Sequence, residues 1–186
     1  PNKPIRVLTA GRFQPQKGFQ DLIAAAALLK DQPIEFIIVG WGPLDVRKIA
    51  SETGVEDKFV FFDKLGLQQL RIMFQSVDIY CLPSYTHPEQ GKEGVPVVLM
   101  ESMACGLPVV ATRCGAVDEI VENILVDERS PEQLAEAIKL LASDSGLRQE
   151  HGQRNREIVE KKYSVRNIEP FAESLADIAD GLAIEK

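Results

Sequence analysis

Five short, nearly unbroken apolar runs punctuate the chain: "IRVLTA" (5–10), "EFIIVG" (35–40), "KFVFFD" (58–63), "VDIYCLPS" (77–84) and "LPVVAT" (107–112). Each is bounded by Gly, Pro or charged residues, the pattern of strands buried on both faces of a parallel sheet. Between them, 19–31, 43–54, 66–76 and 96–106 have helical length or period, and two of these segments stop at a glycine. A sixth run, "ILV" (124–126), is followed by wholly helical patterning, starting with "SPEQLAEAIKLLAS", where Ser130 is the expected cap and Pro131 the first helical residue. The pattern predicts an α/β, Rossmann-like, doubly wound parallel sheet of about six strands with helices on both faces and about three extra helices at the C-terminus.

Length and composition support a single globular unit. At 186 residues the chain can bury roughly 70% of its unfolded surface. Its 45% hydrophobic and 26% charged residues exclude a disordered chain. A net charge of -7 argues against a nucleic-acid partner, which calls for a basic stripe, so any bound anion must be met by local cations. Cys81, Cys105 and Cys114 show no CxxC spacing and are expected to be buried free thiols in a reducing cytoplasm. No apolar run approaches the roughly 18 residues of a membrane span, and the start has no signal-peptide core. "PNKP" reads as the end of a linker from a preceding domain.

In an open parallel sheet, ligands bind beyond the carboxyl ends of the strands. Four loops there are unusual. In "AGRFQPQKG" (10–18), Arg12 and Lys17 flank a proline turn next to Gly11, and two cations on one such loop suit a phosphate or diphosphate; ordinary surface charges are the plain alternative. In "VGWGPL" (39–44), Gly40 and Gly42 would let backbone approach a ligand before a helix starting at Pro43. Asp45 stands where a dinucleotide fingerprint needs its third glycine, so a plain strand-to-helix turn with Trp41 as a surface anchor is the alternative.

The third loop, "PSYTHPEQGKEG" (83–94), leads into "EGVPVVLME", two glutamates around an apolar stretch. With Pro96 at or near the first helical position, the amides of Gly94, Val95 and Val97 stay available to an anion. Glu101 then lies roughly 7 Å along the helix axis, the spacing between a nucleotide's phosphates and its ribose, and would accept from the ribose hydroxyls. Glu93 would face whatever lies beyond the diphosphate, sugar hydroxyls being its natural partners. Each carboxylate would repel a phosphate charge by about 4 kcal/mol at 4 Å, which Arg12 and Lys17 compensate. The alternative is a Glu101 paired to a neighbouring cation. The fourth loop, "ATRCGAVDEIV" (111–121), reads as a tight turn at Gly115 before a short helix with Asp118 and Glu119 as dipole partners.

Taken together, "GRFQPQKG", "VGWGPL", "LPS", "EGVPVVLMESMACGLPVVAT" and "GAVDEIV" resemble, in order and approximate spacing, the retaining GT-B glycosyltransferases of family 4 over residues 5–140. The two glutamates with "MACGLPVVAT" behind them are specific; each other motif is weak alone. The resemblance implies that residues 1–186 are the sugar-nucleotide-binding C-terminal domain of such an enzyme, with 164–186 a terminal helix packing toward a separate N-terminal Rossmann-like domain that carries the acceptor. It implies a catalytic set of Glu93, Arg12 and Lys17 and a donor-binding set of Gly11, Arg12, Lys17, Gly40, Gly42, Glu93, Gly94, Val95, Val97 and Glu101. In that scheme Arg12 and Lys17 hold the diphosphate, Glu101 the ribose and Glu93 the donor sugar. No metal or cofactor is implied beyond the sugar-nucleotide substrate. Any membrane contact would be peripheral and made through the other half.

Two departures stand out. Where relatives commonly have "EGFGL" this chain has "EGVPV", so Pro96 removes one backbone donor, and the turn between Glu122 and Ile124 is shorter than the family's. Two competing readings are a dinucleotide-dependent oxidoreductase or epimerase domain, suggested by "VGWG", and a non-catalytic domain that keeps the fold as an interaction surface.

Overall fold

The computed structural model describes residues 3–91 and 94–164. It contains strands β1 (Ile5–Arg12), β2 (Ile34–Trp41), β3 (Phe59–Phe62), β4 (Ile79–Leu82), β5 (Val109–Thr112) and β6 (Ile124–Val126). The helices are α1 (Phe19–Leu28), α2 (Val46–Glu52), α3 (Leu67–Gln75), α4 (Val97–Ala104), α5 (Val117–Ile120), α6 (Pro131–Ser143) and α7 (Ser145–Lys162). The six strands form one parallel sheet in the order β3-β2-β1-β4-β5-β6, the expected doubly wound arrangement.

Side chains of a strand alternate between faces, and the central strands fill a core on each. Val7, Ile38, Ile79, Cys81 and Val110 face one core, closed by Phe19, Leu22 and Ile23 of α1 and by Leu134, Ile138 and Leu141 of α6. Leu8, Ile37, Tyr80, Leu82, Val109 and Ala111 face the other, closed by Phe74 of α3, Leu99 and Met103 of α4 and Ile158 of α7. All four residues of β4 and of β5 are buried. β3 departs from the expectation of two buried faces: at the sheet edge only Phe59 is buried, while Val60 and Phe62 are exposed.

Local chemistry explains where several boundaries fall. α2 starts at Val46, three residues later than Pro43, because Leu44 N donates to Phe13 O (3.1 Å) and Asp45 is the cap, accepting from Lys48 N at 3.0 Å. Pro131 is the first residue of α6 as expected, but the Ser130 side chain makes no capping bond; its carbonyl accepts from Leu134 N at 3.1 Å instead. Asp144 caps α7 through Leu147 N (2.9 Å). α7 is fastened to the sheet by the fully buried Asn155, whose Nδ2 donates to Leu107 O (2.8 Å) while its Oδ1 accepts from Asn123 Nδ2 (3.0 Å). The third C-terminal helix, expected over 164–186, lies outside the described residues apart from Ser164. Among the described residues no helix is long and apolar enough to cross a membrane.

Candidate functional site

The strand order reverses between β1 and β4, and the loops after these two strands meet at the carboxyl edge of the sheet. β1 runs beside β2 to its end, so Gly11 pairs with Gly40 and Arg12 with Trp41. This fit depends on small residues. A Cβ on Gly40 would lie 1.9 Å from Gly11 O, and one on Gly42 (φ 152°) would lie 2.5 Å from Phe13 O. The two loops are then tied by Phe13 N donating to Trp41 O (2.6 Å). The bare backbone of "GWG" therefore accommodates the neighbouring β1 loop.

After Arg12 the chain makes a tight turn over Pro15–Lys17, closed by Lys17 N to Gln14 O (3.1 Å) and Gly18 N to Pro15 O (3.0 Å). Gly18 has φ 68° and sits so close to the end of β4 that a Cβ would lie 1.8 Å from Pro83 O. Tyr85 N adds a bond to Gln16 O (2.9 Å). These contacts set Lys17 against Gly11, with Lys17 Cδ 3.9 Å from the position a Gly11 Cβ would take.

Opposite this turn, Pro96 is the cap of α4 rather than its first residue, and its carbonyl accepts from Leu99 N (3.0 Å) and Met100 N (3.3 Å). Helix geometry leaves the amides of Val97 and Val98 without an intrahelical acceptor. Between the turn and the helix lies a cleft of about 310 Å³. Gly11, Arg12, Lys17, Gly40, Val95 and Val97 all line it, six of the sequence-derived site residues in one place. Gly42 and the exposed Gly94 do not line it, and Glu93 lies outside the described residues.

Glu101, one helical turn further along α4, opens into an adjoining cleft of about 330 Å³ between α3 and α4; Leu70 forms part of both walls. Desolvation holds its carboxyl above the usual carboxylate range. Among the described residues the Glu101 side chain makes no hydrogen bond or ion pair.

The loop after β3 contributes two residues that sequence reasoning missed. Lys64 and Leu65 line the first cleft, and Lys64 Nζ lies 4.8 Å from the centre of the Trp41 ring, itself part of the wall. Their signal was positional: they follow the predicted strand 58–63, at the same sheet edge as the inspected loops. With Arg12 and Lys17, Lys64 makes a cationic cleft on a chain of net charge -7. Cys105 is another departure. Cys81 and Cys114 are buried free thiols, Cys81 with its pKa pushed up by burial, whereas Cys105 is only half-buried and lines the Glu101 cleft. Among the described residues no group of His, Cys, Asp and Glu could hold a metal ion.

Asp45 bears on the dinucleotide reading. Its carboxylate takes the Lys48 amide at the start of α2, a donor that a pyrophosphate on that helix would need.

Comparison with known proteins agrees with this geometry. The family model described as "Glycosyl transferases group 1" matches residues 1–158. The amylovoran biosynthesis glycosyltransferase AmsK of Erwinia amylovora is 33% identical over 141 residues, covering 74% of this chain and 35% of that protein. The chain spans about a third of the length of the first curated relatives it matches (35%, 36% and 35%). Among solved structures, the C-terminal domain of the group 1 protein LpcC from Francisella tularensis is 25% identical with a TM-score of 0.74, covering 89% of this chain and 88% of that one. Anabaena HepE, solved in complex with UDP-glucose, is also 25% identical, with a TM-score of 0.78 over 94% of this chain and 49% of that one. By the match over residues 1–158, this chain belongs to the family of group 1 glycosyl transferases, with a sheet and flanking helices of the kind that form one half of a GT-B fold.

Proposed function

We propose that the chain is the donor-binding, C-terminal domain of a retaining glycosyltransferase that takes a nucleoside-diphosphate sugar and works with an N-terminal domain carrying the acceptor, in polysaccharide or glycoconjugate biosynthesis. The observation that carries this reading is the cleft at the β1/β4 switch point, where Arg12 and Lys17 face the start of α4 and Glu101 follows along the same helix into the adjoining cleft. HepE holds UDP-glucose in its solved complex, and AmsK is named for amylovoran biosynthesis, both in line with a sugar nucleotide and a glycan product. Free thiols in the described fold favour the cytoplasm, where nothing would oxidise them.

Each residue then has a role set by its chemistry. The Arg12 guanidinium can grip two phosphoryl oxygens at once and Lys17 adds a point charge, so negative charge building on the departing nucleoside diphosphate meets fixed cations and helix-terminal amides. Glu101, ionised and accepting from two ribose hydroxyls, would regain on binding the hydrogen bonds it lost on folding. Glu93 is assigned to the donor sugar by the family resemblance. It is given no nucleophilic role. Gly40 lines the cleft, and both Gly40 and Gly42 also shape it through the β1 loop that they admit.

A thermal-shift screen with UDP, GDP, ADP and their sugar conjugates tests the reading. One diphosphate series at about 100 times its Kd should stabilise by about 2.7 kcal/mol, or roughly 5–10 °C for a domain of this size. Lys17→Ala and Glu101→Ala should each abolish most of the shift. Indifference to every nucleotide would instead favour an interaction domain that has kept only the fold.

A further inference from the structure

The turn between β6 and α6 reaches into the same loops without lining the cleft. The Glu128 carboxylate accepts twice from Thr86: Thr86 N to Oε2 at 2.9 Å and Thr86 Oγ1 to Oε1 at 2.8 Å. A two-point grip fixes orientation as well as position, because rotating the loop breaks one bond or the other. Beside it, the Arg129 guanidinium lies 4.3 Å from the centre of the Tyr85 ring, and its Nη1 is 3.5 Å from Asp21 Oδ2 at the start of α1. Arg129 holds a left-handed backbone conformation (φ 58°) that is unfavourable for a residue with a Cβ, a cost that the stacking and the ion pair help to offset.

The contacts continue toward the cleft. Tyr85, stacked under Arg129, donates its amide to Gln16 O (2.9 Å), and Pro83 backs Gly18. Gln16 and Gly18 are the two neighbours of Lys17. The Pro15–Lys17 turn is thus held by its own two backbone bonds on one side and by the Tyr85–Thr86 segment on the other, and that segment is held by Glu128 and Arg129. None of these side chains belongs to either apolar core, so their removal should act on the loops more than on the sheet.

We propose that Glu128 and Arg129 are positioning residues for donor binding, acting through the Tyr85–Thr86 segment to hold the Lys17 turn against the diphosphate. The proposal rests on the functional reading above. A double-mutant cycle separates it from a general structural role. The affinity of the nucleoside diphosphate selected by the screen is measured by calorimetry for wild type, Glu128→Ala, Lys17→Ala and the double variant, with melting temperatures alongside. Glu128→Ala should weaken binding about 3- to 10-fold in the wild-type background and less than about 2-fold when Lys17 is already gone, since the two act through one contact. Glu128→Gln, which keeps one carbonyl acceptor for Thr86, should recover part of the affinity and carries the cycle if the alanine variant fails to fold. An equal loss in both backgrounds, or no loss in either, would overturn the proposal. If wild type binds no nucleoside diphosphate at all, the functional reading fails first and the positioning role with it.

Discussion

Replacing Gly18 by alanine should be among the most damaging single-methyl changes in this chain. The position combines φ 68° with a Cβ site 1.8 Å from the Pro83 carbonyl oxygen and 2.7 Å from its carbon. The left-handed backbone alone costs an alanine about 1–2 kcal/mol. Relieving the overlap requires backbone on one side or the other to move, which adds about 1–3 kcal/mol, for a total of about 2–5 kcal/mol. Gly54 supplies the control, because its φ is 75° and no atom lies within 4 Å of its added Cβ, so Gly54→Ala should show only the conformational part, about 1–2 kcal/mol. Urea denaturation of both variants, analysed with a common slope, gives the two losses. Gly18→Ala should lose at least about 1 kcal/mol more and should bind nucleoside diphosphate more weakly, since the turn carrying Lys17 is what moves. Equal losses in the two variants would refute the close seating of the Lys17 turn on β4.

Two further substitutions probe the sheet's lower support and the electrostatics of the site. Asn155→Ala should destabilise by about 1–3 kcal/mol in thermal melts, because the buried Leu107 carbonyl loses its partner at 2.8 Å and Asn123 loses its acceptor at 3.0 Å. Glu101 has a folded-state pKa above its ordinary value through desolvation, so the folded protein holds that proton more tightly than the unfolded one. Its contribution to stability is present at low pH and is lost as pH rises through the raised pKa. Glu101→Gln should flatten that decline in ligand-free protein in denaturant melts taken as pH rises from the ordinary carboxylate range, while weakening nucleoside-diphosphate binding. A steeper decline in the variant would contradict the desolvation account.

The parallel sheet was readable because its central strands are buried on both faces, which leaves unbroken apolar runs such as 35–40 and 107–112 with little else they could be. Edge strand β3 gave an apolar run of the same kind, yet Val60 and Phe62 are exposed, because a single apolar run does not say how many faces are covered. Arg12 and Lys17 were singled out by charge beside a turn, and Glu101 by helical rise. Lys64 and Leu65 were not, as a lone lysine after an edge strand carries no distinctive spacing. Gly40 and Gly42 were legible as sites of close approach, but what approaches them is Gly11 and Phe13, a tertiary pairing of two loops some thirty residues apart that no local pattern encodes. Asp45 looked like a missing glycine and is a helix cap; Ser130 is the cap residue of α6 as expected, through its carbonyl and not its side chain. The Glu128–Thr86 and Arg129–Tyr85 contacts join positions more than forty residues apart, so only the fold shows them.

A crystal structure of the chain with its preferred nucleoside diphosphate tests the assignment most directly. The diphosphate should lie within hydrogen-bonding distance of Arg12 and Lys17, near the amides that begin α4, with both ribose hydroxyls on Glu101. A nucleotide bound at the start of α2, or elsewhere away from the β1/β4 cleft, would contradict it.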